Sequence, residues 1–315
     1  MEPIKPGIYS GISNQDYHSG AGIGNSMLSK LINKTPAHYK AMIHSKFESR
    51  PSSDMVLGSA VHTALLEPHN FELEFYLKSQ ADYVSFSGLK KDDLIIECAR
   101  LELLDEDISP FDLTCAELKE KLRQWNEEVI ERFHGKLQID ELQMKKIKGM
   151  VSSIGNSKVW QSIDKSRCRI ESSVYWEDKK TGLLCKVRPD LLDTENRTVY
   201  EIKTTKDASA KAFMSSVAKY GYHRQESFYL DGIDCAITQA DLLYKAPNKF
   251  VFIVVESSFP YVCQSYTLDS TAKLIAYEEI RGALDLLAAC KQRNEWPGYS
   301  DEEIQEITLP NWYGD

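Results

Sequence analysis

A chain of 315 residues can bury one large core, or one core with a sizeable insertion. With 42% hydrophobic and 27% charged residues it has the balance of an ordinary soluble globular protein, which excludes the disordered and fibrous classes. A net charge of −9 excludes a protein that coats polyanions through many surface cations, although it does not report the potential inside a cleft. No apolar run approaches the length of a membrane span, and the start, MEPIKPGIYSG, has no signal-peptide core. The expectation is therefore the cytoplasm, with no membrane partner. Cysteines at 98, 115, 168, 185, 235, 263 and 290 form no CxxC pair, and their scatter fits reduced thiols, not a zinc or iron–sulfur site.

In chain order, residues 1–24 read as extended and turn-rich. Asn25 and Ser26 can cap a helix through about Ile32, and Thr35-Pro36 starts another containing His38, Tyr39 and Met42. The small-residue run GSAVHTALL at 58–66 reads as a helix ending before Pro68. From about 88 to 156 the chain is charged and helix-favouring. Leu118, Leu122, Trp125, Val129 and Phe133 recur there at the three-to-four spacing of one buried stripe. Three strand candidates follow at 169–178, 182–193 and 198–205, then a helix over 209–232 broken near Gly221. Strands at 249–256 and 261–268 and a long helix over 270–293 complete the pattern. This order predicts an α/β (α+β) fold with a mixed central β-sheet flanked by helices and a helical insertion.

The most informative stretch is a hairpin: residues 183–193 as one strand, DTENR at 193–197 as the turn, and 198–205 as the second strand. Side chains alternate along a strand, so Glu201 and Lys203 share a face, and Asp190 can meet Glu201 across the pair. Pro189 removes a ladder donor and suggests a bend that aims Asp190. Glu201 and Lys203 stand among Val199, Tyr200 and Ile202, where burying charge is costly unless a cation or partner offsets it. Two carboxylates beside an ammonium suit Mg²⁺ or Mn²⁺ and the hydrolysis of phosphodiesters. Read from the residues alone, His62 on its apolar helix is a core histidine, Glu171 a surface strand residue, and Tyr229 a core aromatic.

With RPD at 188–190 and ExK at 201–203, the sequence resembles the PD-(D/E)xK nuclease superfamily. Within it, the opening GIYSGISNQDYHSGAGIGNSMLSKLINKTPAHYKA (7–41), LGSAVHTALLEP (57–68) and YGYHRQESFYLDG (220–232) resemble RecE-type phage and prophage exonucleases (exodeoxyribonuclease VIII), in the family's order. The resemblance implies one nuclease domain over 1–315 with a restriction-endonuclease-like core. Its parts would be an N-terminal helical part with the histidine motif (1–87), a helical insertion (88–160) and a catalytic core sheet with C-terminal helix (161–315). It implies metal ligation by His62, Asp190, Glu201 and the carbonyl of Ile202, with Mg²⁺ as cofactor and Mn²⁺ able to substitute. Lys203 would position or help deprotonate the attacking water and stabilise charge on the phosphate, Glu171 would lie near the metal and scissile phosphate, and Gln225 and Tyr229 would contact DNA. The activity implied is processive 5′-to-3′ degradation of double-stranded DNA from its ends. It would release 5′-mononucleotides and leave 3′ tails for recombination and repair by strand annealing. A ring-shaped homotetramer and a RecT-like annealing partner are implied as well. Two other readings stay open: an endonuclease of the same superfamily, and a non-catalytic DNA-end clamp.

Overall fold

The computed structural model describes residues 4–44, 51–80, 83–105, 107–299, 304 and 306–309. Its elements in chain order are β1 (Gly7–Tyr9), α1 (Asn14–Ser19), α2 (Asn25–Asn33), α3 (Pro36–His44), α4 (Ser53–Leu66), α5 (Phe71–Glu74), β2 (Phe75–Leu77) and α6 (Lys91–Arg100). They continue with α7 (Cys115–Arg132), β3 (Leu137–Ile139), α8 (Glu141–Gly155), α9 (Lys158–Ser162), β4 (Cys168–Ile170), β5 (Ser173–Glu177) and β6 (Leu184–Val187). The last are β7 (Leu191–Asp193), β8 (Thr198–Thr205), α10 (Ala210–Tyr220), α11 (Tyr222–Gln239), β9 (Lys249–Glu256), β10 (Cys263–Tyr266) and α12 (Ser270–Arg293). The chain divides into two compact units: residues 1–50, 156–256 and 262–315 in one, residues 51–155 and 257–261 in the other.

The first unit contains a five-stranded sheet in the order β10-β9-β8-β7-β4 and a three-stranded sheet in the order β1-β5-β6. β8 and β9 run parallel and the other neighbours in the larger sheet antiparallel, so the sheet is mixed, as the element order predicts. One face of β8 and β9, with Val199, Phe250, Phe252 and Val254, packs against Phe213 of α10, Phe228 and Ile233 of α11 and Leu284 and Leu287 of α12. Alternation along β8 puts Glu201 and Lys203 on the same face as Val199, towards α11. Gly232 lets α11 lie directly on β5, because a Cβ there would stand 2.3 Å from the Trp176 ring.

Two expected strands differ from the sequence reading. Residues 169–178 and 183–193 each form two strands in different sheets, broken at Glu171-Ser172 and at Arg188-Pro189-Asp190. The register nevertheless runs unbroken, since Val174 pairs Val187 on one side and Ile170 pairs Leu191 on the other. One long hairpin therefore bends out of one sheet into the next. Pro189 offers no ladder donor at the bend, and Glu171 takes a left-handed φ of 45°. The turn at 193–197 is as expected: the Asp193 carboxylate accepts the backbone N–H groups of Glu195 and Asn196.

Other boundaries shift for local reasons. Gly24, not Asn25 or Ser26, caps α2. The segment read as extended contains the short α1, capped by Ser13, with Met1 to Pro3 outside the described residues. The second unit begins at Pro51, so the helix bearing His62 belongs with it. There α4 packs on α8, and Leu94 and Cys98 of α6 close on Leu118 and Leu122 of α7. Asn126 of α7 replaces a strand partner for Val84, bonding its N–H and C=O at 3.0 and 2.9 Å. Val129 completes the buried stripe, while Trp125 and Phe133 are half-buried. Among the described residues no helix is long and apolar enough to cross a membrane.

Candidate active site

The hairpin bend creates the site. Continuing the two registers by one residue sets Glu171 opposite Asp190 and Asp190 opposite Glu201, a row of three acids across β4, β7 and β8. The Glu171 N–H bonds the Asp190 carbonyl at 3.1 Å, and carboxylate oxygens of the two approach within 4.8 Å. Asp190 is buried at 4% exposure and accepts the Ile202 N–H on Oδ2 at 2.6 Å. Its position is thus set from both flanking strands.

Glu201, 5% exposed, holds Lys203 Nζ at 3.0 Å and Gln225 Nε2 at 2.5 Å, both on Oε1. A buried carboxylate needs such partners, since desolvation alone would favour its neutral form. Burial pulls the Lys203 ammonium down, but the charges of Glu201 and Asp190 outweigh it and hold its pKa above the ordinary lysine value. Lys203 thus stands as a hydrogen-bond donor beside Glu201. Burial, then Glu201 and Tyr17, push the Tyr229 hydroxyl far above its usual range, so it stays protonated. Gln225 and Tyr229 lie one turn apart on α11, whose first half buries polar residues and whose second half buries Ile233, Ala236 and Ile237. The polar half is the end that faces the acids.

Two site-lining residues escape the sequence reading. Tyr17 is the buried residue of α1; burial pushes its hydroxyl up, Arg188 opposes this, and Glu201 and Glu171 add to it. Arg188, which precedes the bend, stacks 4.2 Å from the Tyr17 ring centroid and bonds Ser173 Oγ at 2.6 Å and the Ile12 carbonyl at 2.9 Å. These contacts fasten the N-terminal arm to the turn bearing Asp190. A lone aromatic in a short polar helix was the available signal for Tyr17; nothing in the spacing marks the anchors of Arg188. His62 is on α4 of the second unit and is half-buried.

Glu171 and Asp190 bring carboxylate oxygens together with Glu201 next in the row, hard donors of the kind divalent cations take and unlike the thiolate sets of structural zinc. With Lys203 beside them, the arrangement offers charge for a phosphodiester and a donor for its oxygens. Residues 25–307 match the model of a family described as "PDDEXK-like domain of unknown function (DUF3799)". The chain belongs to this family. The match covers both the ExK strand and the RPD bend, and it supports a nuclease of the PD-(D/E)xK superfamily. Among solved structures, the chain shares its fold with a "Putative exonuclease" from Eubacterium rectale. That likeness has a TM-score of 0.54 at 9% identity and covers 96% of this chain and 97% of that one. A second structure, SSO0001, covers 62% of this PDDEXK-like chain and 88% of its own length, at 14% identity and a TM-score of 0.25. No curated protein matches the chain.

Proposed function

We propose that the protein is a RecE-type, Mg²⁺-dependent exodeoxyribonuclease that degrades double-stranded DNA processively in the 5′-to-3′ direction. It would release 5′-phosphomononucleotides and leave 3′ tails for recombination by strand annealing. The observation that carries the hydrolytic part is the row Glu171, Asp190, Glu201 with Lys203 on its flank. Membership of the PDDEXK-like family supports it, as does the shared fold of a protein whose name carries exonuclease activity. Polarity, products and recombination role rest on the resemblance of the N-terminal, histidine and Gln-xxx-Tyr segments to RecE-type exonucleases.

In this reading Asp190, Glu201, the Ile202 carbonyl and His62 hold the cation, with Glu171 beside it. When bound, the cation supplies Lewis-acid charge to the phosphate and acidifies a water. The protein groups do the rest. Lys203 donates to the attacking water or to a phosphate oxygen and offsets the charge that builds there. Gln225 fixes the Glu201 carboxylate through the 2.5 Å bond, and Tyr229, held protonated, donates to the DNA. A ring-shaped homotetramer enclosing the duplex would let a chain of net charge −9 stay on DNA without broad electrostatic adhesion, and a RecT-like protein would take the tail.

Digestion of linear duplex labelled at either the 5′ or the 3′ end, with and without Mg²⁺, tests class, metal need and polarity together. The expected result is Mg²⁺-dependent early loss of the 5′ label as mononucleotide. Covalently closed circles should survive, and efficient cutting of circles would make the protein an endonuclease instead.

A further inference from the structure

We propose that Tyr220 is a nucleobase-stacking platform beside the acid row, taking a base of the strand being cut; the proposal rests on the nuclease reading above. α10 ends at Tyr220 and α11 begins at Tyr222, with Gly221 between them at a left-handed φ of 70°. The Arg224 guanidinium fills the space behind that glycine, 2.4 Å from where a Cβ would stand, so the bend is held from within. This turn sets the two tyrosine rings 5.7 Å apart at 31°.

The inner ring is anchored. Tyr222 packs on Phe213 at 6.0 Å and on Phe252 at 5.9 Å, both in the core. The outer ring is open, with Tyr220 55% exposed. A series of aromatic rings thus runs from the core to the surface and ends on the half-exposed Tyr220 ring. Single exposed tyrosines are ordinary. This one continues an anchored series, and each of its last two rings carries an ammonium: Lys219 Nζ is 5.2 Å from the Tyr220 centroid, and Lys203 Nζ 4.9 Å from the Tyr222 centroid. Lys203 in turn bonds Glu201. One ring, that of Tyr222, therefore stands between the exposed Tyr220 and the Lys203–Glu201 pair.

The ligand that fits has a flat π-face with anionic groups on both sides, which is a nucleotide within a strand. Its base stacks on Tyr220, one phosphate meets Lys219, and the next lies towards Lys203. Stacking of this kind accepts any base, because every base presents a π-face. It suits an enzyme that degrades DNA without regard to sequence.

The test uses the full-length chain carrying Asp190→Asn to block cleavage. Its binding to oligothymidylate is compared, by fluorescence anisotropy in Mg²⁺, with binding to an equally long oligomer of abasic tetrahydrofuran units. The bases should tighten binding by about 5- to 150-fold. Adding Tyr220→Ala should abolish most of that preference, while Tyr220→Trp should keep it. If Tyr220→Ala retains the full preference, or if the Asp190→Asn chain shows none, the platform is wrong. The nuclease reading fails separately. Should the unmodified chain leave linear duplex intact in Mg²⁺ while the Tyr220-dependent preference persists, that reading falls and the platform stands.

Discussion

Asp190 accepts the backbone N–H of Ile202 at 2.6 Å, so the carboxylate at the hairpin bend is tied to β8 between Glu201 and Lys203. That bond locks the hairpin's chemistry to its register. A slip of one residue would turn Glu201 and Lys203 to the opposite face of the sheet and break the tie.

The first prediction separates the chemical role of Asp190 from its structural one. In Asp190→Asn the amide oxygen can still accept the Ile202 N–H, so the thermal midpoint should stay near that of the unmodified protein. Asp190→Ala leaves a buried donor unsatisfied and should cost about 1–3 kcal/mol. Both should lose Mg²⁺-dependent cleavage by at least roughly 100-fold. Persistent cleavage by the Asn variant would remove Asp190 from the metal site.

Lys203→Ala should act on turnover more than on metal binding. Its ammonium donates towards Glu201, and the paired charge holds it protonated against burial. Removing one preorganised donor of this kind typically lowers kcat by about 10²–10³-fold. Isothermal titration with Mn²⁺ should show an affinity changed by less than about tenfold. Loss of Mn²⁺ binding with a preserved kcat would contradict the donor role.

The sheet and most helices were legible because their signals are local. β8 and β9 alternate or run apolar, and the stripe from Leu118 to Val129 has helical spacing. The sequence of the hairpin showed Asp190 facing Glu201, since register and the polar turn at 193–197 are also local. The bend was not legible as a change of sheet. Whether a strand continues or crosses over depends on what packs beyond it, here Tyr17 and Ile12 gripping Arg188 from residues far away in sequence. Long-range fastening of that kind leaves no spacing to read. The same holds for Gly232, an ordinary helix glycine until Trp176 is placed against it.

That glycine gives a prediction of sign. Gly232→Ala drives a methyl into the Trp176 ring and should destabilise by about 1–3 kcal/mol. Gly282, on the exposed side of α12, has nothing within 4 Å of a built Cβ. Gly282→Ala should therefore stabilise by about 0.5–1 kcal/mol through helix propensity. Urea unfolding of the two variants should shift the midpoint in opposite directions. A shift of the same sign in both would mean that α11 does not lie on β5 as closely as described.

Stability in acid should depend on Asp178, which closes the turn after β5. Its carboxylate takes both nitrogens of Arg281 on α12, at 2.7 and 2.9 Å, and the N–H and hydroxyl of Thr181, at 2.9 and 2.5 Å. Burial alone would raise its pKa, but the bonds from Arg281 and Thr181 outweigh this and hold it below the ordinary aspartate value of 3.8. A depressed carboxylate contributes its full stability above the unfolded value and loses it as pH falls through the folded one. Arg281→Met removes the larger of these partners, and should cost about 1–2 kcal/mol near neutral pH once solvent screening of a partly exposed pair is allowed for. The difference between variant and parent, measured by urea unfolding from pH 7 down to about pH 3, should be constant at first and shrink below about pH 4. A gap that stays constant into acid would show that Arg281 contributes by packing its stem on α12 and not through the Asp178 charge.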